Sequence, residues 1–250
     1  MKKQCGKILS SACLSLLTVL ATMSTATGGT NVYGLQEDPL VATVFETGIH
    51  SRDFEEVRYV ILQRLMARFA EDHKIVVSKD EVDSYLVAQR RFMALDRQRR
   101  ELRRTELTEQ LQSDQLTDAQ RSTLAKNLEI LNDLADADRA AADDNSPEVR
   151  AYSEQLAKTF ILRWKVNRAL YRQYGGRIIF QQTGPEPLDA YRTFLQEQEA
   201  IGHFKILDPA YEKKFWHYFT TDALHDFYQP GSVEEARAFD KLFPDSAVAE

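Results

Sequence analysis

"RRFMALDRQRRELRR", residues 90–104, sets seven arginines against two acids. Such a run suits a nucleic-acid contact, a membrane contact, or one side of a charge-matched protein hairpin, and the rest of the chain decides between them. Upstream, Ser78 and Glu81 form a capping box that starts a helix. Val82, Tyr85, Leu86 and Phe92 or Met93 keep helical spacing, and the helix runs through the arginines to about Gln112. "SDQLTDAQ" then interrupts it, with Thr117 and Gln120 as a second capping box. A further helix carries Leu124, Leu128, Leu131 and Leu134 or Ala135, spacings of four and three that suit one packing partner.

Residues 129–144, "EILNDLADADRAAADD", hold six acids and one arginine, net −5 against +5 for the arginine run. Folding back near Gln115 sets residue i beside about 230 − i, so Arg97 faces Asp133 and Arg100 faces Glu129, to within several residues. Two arms of opposite sign in antiparallel register read as a matched hairpin over 79–144. Exposed ion pairs are worth only about 0–1 kcal/mol each. Cohesion must therefore come from the leucine stripe, with the charges setting register. Arms of about 25 residues would reach roughly 37 Å.

Charge elsewhere agrees. Lys2, Lys3 and Lys7, an apolar run from Ile8 to Met23 and the small residues Ser24-Thr25-Ala26 read as a signal peptide over 1–26. The apolar run is shorter than the roughly 20 residues a spanning helix needs, so no stable membrane insertion is expected after cleavage. The alternative is an uncleaved inner-membrane anchor. Cleavage removes three lysines and both cysteines, Cys5 and Cys13. That leaves 29 basic residues facing 38 acidic ones, net −9, with no thiol chemistry. Such a charge disfavours nucleic acid and anionic lipid as partners.

Few glycines (10) and prolines (7) point to an all-α chain with at most a small two-stranded β element. After a flexible leader, 27–38, "VATVF" and "RIIFQQ" are the strand candidates and could pair, with a turn at Thr47-Gly48. A helix after Ser51 presents Val57, Ile61, Leu65 and Phe69. Ser146 and Pro147 start a central, largely buried helix that ends at Gly175-Gly176. Further helices follow at about 187–201, 209–219 (Asp208 cap, Pro209 at N1), 221–228 and from Ser232, making 177–243 a helical extension packed on 39–176. The segment 244–250 is a frayed tail.

Chemistry is thin. The five histidines, His50, His73, His203, His217 and His225, stand in no recognised metal spacing. No nucleophile elbow or phosphate loop is present, and the paired acids read as first-turn helix residues. No catalytic residue, metal or cofactor is expected. "KFWHYFTTDALHDFY", 214–228, has more aromatics than one helix face can bury. Either they dock the C-terminal helices onto the 147–174 helix, or some line a groove for apolar peptide.

Residues 40–88 resemble the N-terminal helical domain of the SurA-type periplasmic chaperones, relatives of the parvulin prolyl isomerases. "LVATVFETGIHSRDFEE" stands in place of the family's "V-A-V-NG-x-I" strand and turn. "ILQRLMARFAEDHKIVVSKDEVDSYL" is similar to its run of apolar residues ending in "G-I-x-V-[ST]-x-x-E-V-D". The 150–174 helix takes the place of the family's return helix. The chain departs in having Glu46-Thr47-Gly48 for the NG turn and His73-Lys74 for the glycine before Ile75. It lacks the parvulin "HIL" strand and "GGDLG" loop, so isomerase activity does not carry over. The resemblance implies a SurA-like, non-catalytic domain in the periplasm that binds unfolded or partly folded exported or envelope proteins. The expected cleft comprises Leu65, Phe69, Phe160, Trp164, Phe215, Trp216 and Phe219. The alternatives are an adaptor docking one envelope partner through the hairpin, or a degenerate prolyl isomerase.

Overall fold

The computed structural model describes residues 38–142, 146–181, 184–240 and 242. The signal peptide, nearly all of the leader and the 244–250 tail lie outside the described residues. In chain order the elements are β1 (Leu40–Val44), β2 (Thr47–His50), α1 (Phe54–Asp72), α2 (Lys79–Leu111), α3 (Asp118–Ala142) and α4 (Pro147–Tyr174). Then come β3 (Ile179–Gln181), β4 (Gly184–Glu186), α5 (Leu188–Ala200), β5 (Phe204–Ile206), α6 (Pro209–Thr220), a 3-10 turn at Asp222–Leu224 and α7 (Val233–Ala236). The fold is mainly helical, as expected.

Its β content is a three-stranded antiparallel sheet, β2-β1-β5, and a separate β3-β4 hairpin. The expected pairing of β1 with residues 177–182 does not form. Ile179 instead pairs with Glu186 a few residues away, a short loop whose closure costs little entropy. The open edge of β1 takes β5, with Val44 opposite Phe204 and the Leu207 N–H donating to the Val41 carbonyl at 2.8 Å. The β1–β2 turn falls at Phe45-Glu46, not at Thr47-Gly48. Both turn residues have positive φ (47° and 63°), which a two-residue hairpin loop requires. The Phe45 N–H donates to the His203 carbonyl at 2.8 Å, so the loop before β5 holds this turn in place.

Local capping chemistry sets most helix ends. Ser78 and Glu81 cap α2 reciprocally, Ser146 accepts from the Val149 N–H, and Asp208 accepts from Ala210 and Tyr211. At the start of α1 the cap is Asp53; the Ser51 hydroxyl donates instead to Glu56 at 2.6 Å. No helix spans 221–228. There Phe227 bridges Ile179, and Tyr228 donates to the Ile178 carbonyl, so this backbone edges β3.

Residues 38 onward form a single compact unit with one main core and a smaller cluster of Val82, Ala157 and Ile161 between α2 and α4. Ile61 and Leu65 of α1, Leu170 of α4, Leu195 of α5, Phe204 of β5 and Phe215 and Phe219 of α6 are all essentially inaccessible. Each contributes roughly 1.5–3 kcal/mol by burial. The segment expected as an extension therefore supplies a strand and much of the central core. A clamp fastens its start to the turn after α6. Arg177 holds Asp189 through Nε at 2.9 Å, reaches Asp222 through Nη1 at 2.6 Å, and lies 4.3 Å over the Phe227 ring. Both carboxylates are held below the usual range, chiefly by their hydrogen bonds to Arg177.

Candidate functional site

α2 has 33 residues, about 50 Å at 1.5 Å per residue, and a single face of it meets two partners in turn. Its first half packs on α4: Val82 clusters with Ala157 and Ile161, Tyr85 stacks on Phe160 with centroids 6.4 Å apart, and Glu81 binds Lys165 at 2.5 Å. Its second half packs on α3. Leu107 is 1% exposed there, facing a stripe of half-buried leucines, Leu124, Leu128, Leu131 and Leu134. The root of that seam is polar. Arg100 bridges Asp96 and Asp138, the latter at 2.6 Å, and Arg104 Nε donates to Asn132 at 2.9 Å. At the tip, Arg121 donates to the carbonyls of Leu111 and Ser113, closing the end of α2.

The opposite-sign arms do meet, but in a shifted register. Arg100 pairs with Asp138 and not with Glu129, and Arg97, Asp133 and Glu129 are exposed without a mutual contact. Helix geometry accounts for part of the shift, about one residue on each arm. Each side chain leans toward its own helix N-terminus. In an antiparallel pair, the groups that touch therefore lie C-terminal to the levels at which their backbones are opposite.

The seven residues of the expected cleft do not come together on the surface. Leu65, Phe69, Phe215 and Phe219 are 4% exposed or less, because α5, α6 and β5 close over α1 and use these side chains as core. Trp216 is half-buried edge-on to Phe215 at 5.4 Å. The 214–228 aromatics therefore serve mainly to dock α6. Trp164 is half-buried under the Arg168 guanidinium at 5.1 Å, and its indole N–H has no acceptor among the described residues. Phe160 alone of the seven is well exposed.

The expectation that α4 is largely buried holds only for its carboxyl half. Its amino half presents Val149, Tyr152, Leu156 and Phe160, spaced by three, four and four and each between 37% and 54% exposed. Extending the antiparallel register set by Glu81–Lys165 and Tyr85–Phe160 brings Phe92 and Met93 of α2, 40% and 46% exposed, to the level of Tyr152. The result is an apolar strip along the α2–α4 junction, formed largely by side chains outside the expected cleft. Its signal was present in the sequence as a helical apolar stripe on 149–160.

The histidines make ordinary local bonds: His50 with the Asp38 carbonyl, His73 with Phe69, His203 with Gln198, His217 with Thr221 and His225 with Tyr218. Among the described residues no cluster of three or more metal-ligating side chains occurs, and no helix is long and apolar enough to cross a membrane. Comparison of the chain with family models, with curated proteins and with solved structures finds no match in any of the three.

Proposed function

We propose that this protein is a non-catalytic, SurA-like chaperone of the periplasm that binds unfolded or partly folded exported polypeptides along the α2–α4 strip. The observation that carries the reading is the stripe Val149–Tyr152–Leu156–Phe160 facing solvent beside Phe92 and Met93. Contiguous exposed apolar surface of this kind marks interaction sites in soluble proteins. Its partner needs apolar side chains at intervals but no fixed shape, since the strip is long and open. Each client side chain that buries there gains roughly 1.5–3 kcal/mol before ordering costs.

The test is Tyr152→Ser combined with Leu156→Asp, assayed by suppression of aggregation of denatured envelope proteins. Both positions are exposed, so stability should change by no more than about 0.5 kcal/mol apiece. We expect suppression to fall at least about tenfold, the loss of roughly 1.4 kcal/mol, while the melting temperature holds. Full suppression by the stable double variant would refute the reading.

A further inference from the structure

A separate concave surface lies at the α1–α2 loop, with none of the strip's residues in its lining. The α1–α2 loop and the carboxyl half of α4 border a shallow, open depression of about 580 Å³. Lys74 lines one wall, Arg168 and Arg172 the other, and Ile75, Val76 and Ala169 supply apolar surface. No acidic side chain lines it, in a chain whose net charge is −6. Lys165 at its edge is already committed, to Glu81 at 2.5 Å and to the Val76 carbonyl at 2.6 Å. Lys74 and Arg172 have no acidic partner among the described residues, and the Arg168 guanidinium lies over the Trp164 ring.

Arg168 and Arg172 stand one turn apart, where like charges repel. Lys74 adds a third cation from a backbone held at φ 53°. An anion entering between the walls relieves that repulsion and can take bidentate bonds from either guanidinium. The surroundings select its shape. Glu71, Asp72 and Asp80 are exposed just outside the loop, so a flat anionic surface would meet them together with the cations. An extended chain crossing only the depression can meet the cations without them. Val76, 72% exposed, gives such a chain an apolar contact beside the charges.

We infer that this groove binds an extended acidic polypeptide segment, its carboxylates on Lys74, Arg168 and Arg172 and its apolar side chains on Ile75 and Val76. This site is independent of the α2–α4 strip and stands whether or not the strip binds clients. The test is fluorescence anisotropy with a labelled peptide alternating Asp or Glu with Val, against the same peptide with Asn and Gln in place of the acids. The acidic peptide should bind at least tenfold tighter, and its affinity should drop between about 0.02 M and about 0.3 M salt as the charges are screened. Lys74→Glu with Arg172→Glu should weaken it at least tenfold, while Lys213→Glu, an exposed charge reversal outside the groove, leaves it unchanged. Equal binding of the amide peptide by the wild-type protein would overturn the inference without any variant. So would undiminished binding by the folded double variant, or binding of pyrophosphate or phosphatidylglycerol vesicles in place of the peptide.

Discussion

Replacing Leu107 by alanine separates the two forces holding the α2–α3 hairpin. Leu107 is 1% exposed in the seam. Removing its three terminal carbons forfeits roughly 2.4 kcal/mol at about 0.8 kcal/mol per carbon, and an unrelaxed cavity raises the loss toward the roughly 5 kcal/mol upper end for such changes. At 1.4 kcal/mol per decade, the lower figure is about a fiftyfold rise in local opening. Arg100 makes the main cross-arm ion pair, but its side chain is 24% exposed and that of Asp138 26%. After solvent screening, Arg100→Met should cost about 1 kcal/mol, roughly fivefold. Arg97, exposed and without a cross-arm contact, should cost under about 0.5 kcal/mol as alanine. Native-state hydrogen exchange of peptides from 100–111 and 118–135 reads these openings directly. α1, packed in the main core away from the hairpin, should keep its protection in all three variants. Equal effects of Leu107→Ala and Arg97→Ala, or an Arg100→Met effect exceeding that of Leu107→Ala, would refute the view that leucines hold the hairpin and charges only align it.

Three further outcomes follow from the core unit. Asp189 and Asp222 have folded pKa values depressed by Arg177. The stability they confer is present above the unfolded value near 3.8 and is lost as pH falls through the lower folded values; the melting temperature of the wild type should therefore fall more steeply below that pH than that of Arg177→Met. Tyr191→Phe removes the 2.7 Å bond to Asn167, which is 3% exposed, and should cost about 1–3 kcal/mol in urea denaturation, whereas Tyr174→Phe, whose bond to Glu197 is exposed, should cost less. Gly176→Ala should destabilise by at least about 1–3 kcal/mol, because φ is 89° and a new Cβ would lie 2.4 Å from the Asp189 Cβ, displacing the carboxylate that grips Arg177; an unchanged melting temperature would contradict that geometry.

What the sequence discloses and what it hides divide along the range of the forces involved. Ser78 with Glu81, Ser146 with Pro147, and Asp208 with Pro209 bond to backbone within three residues, so their chemistry is complete in a short window and the helix starts are legible. The α1 stripe Val57–Ile61–Leu65–Phe69 is likewise legible as a buried face. What packs on it is not. "FKI" carries no pattern that marks it as the partner of "VATVF", and its pairing is settled by where α5 delivers the chain. The same blindness affected the candidate site. Leu65, Phe69, Phe215 and Phe219 have the residue types of a peptide cleft and of a core alike, and only the closure of α5, α6 and β5 over them decides which.

The location of the exposed strip has a structural cause. Along one face of α2 the residues run Val82, Tyr85, Leu86, Gln89, Met93, then Asp96, Arg100, Arg104, Leu107 and Leu111. α4 covers Val82, Tyr85 and Leu86 and α3 the tip of the second group, while between them the seam is made of ions instead of hydrocarbon. A continuous apolar seam would draw α3 and α4 along α2 without interruption and bury Phe92, Met93 and Tyr152. The charged step at Asp96 and Arg100 instead marks the point where one partner helix gives way to the next, and the apolar side chains beside that break stay open to solvent. Replacing Asp96, Arg100 and Asp138 together with leucines should therefore stabilise the hairpin, since well-packed apolar groups often outdo a partly buried ion cluster, yet reduce client binding as the strip closes. A more stable protein with undiminished binding would show that the break and the strip are unconnected.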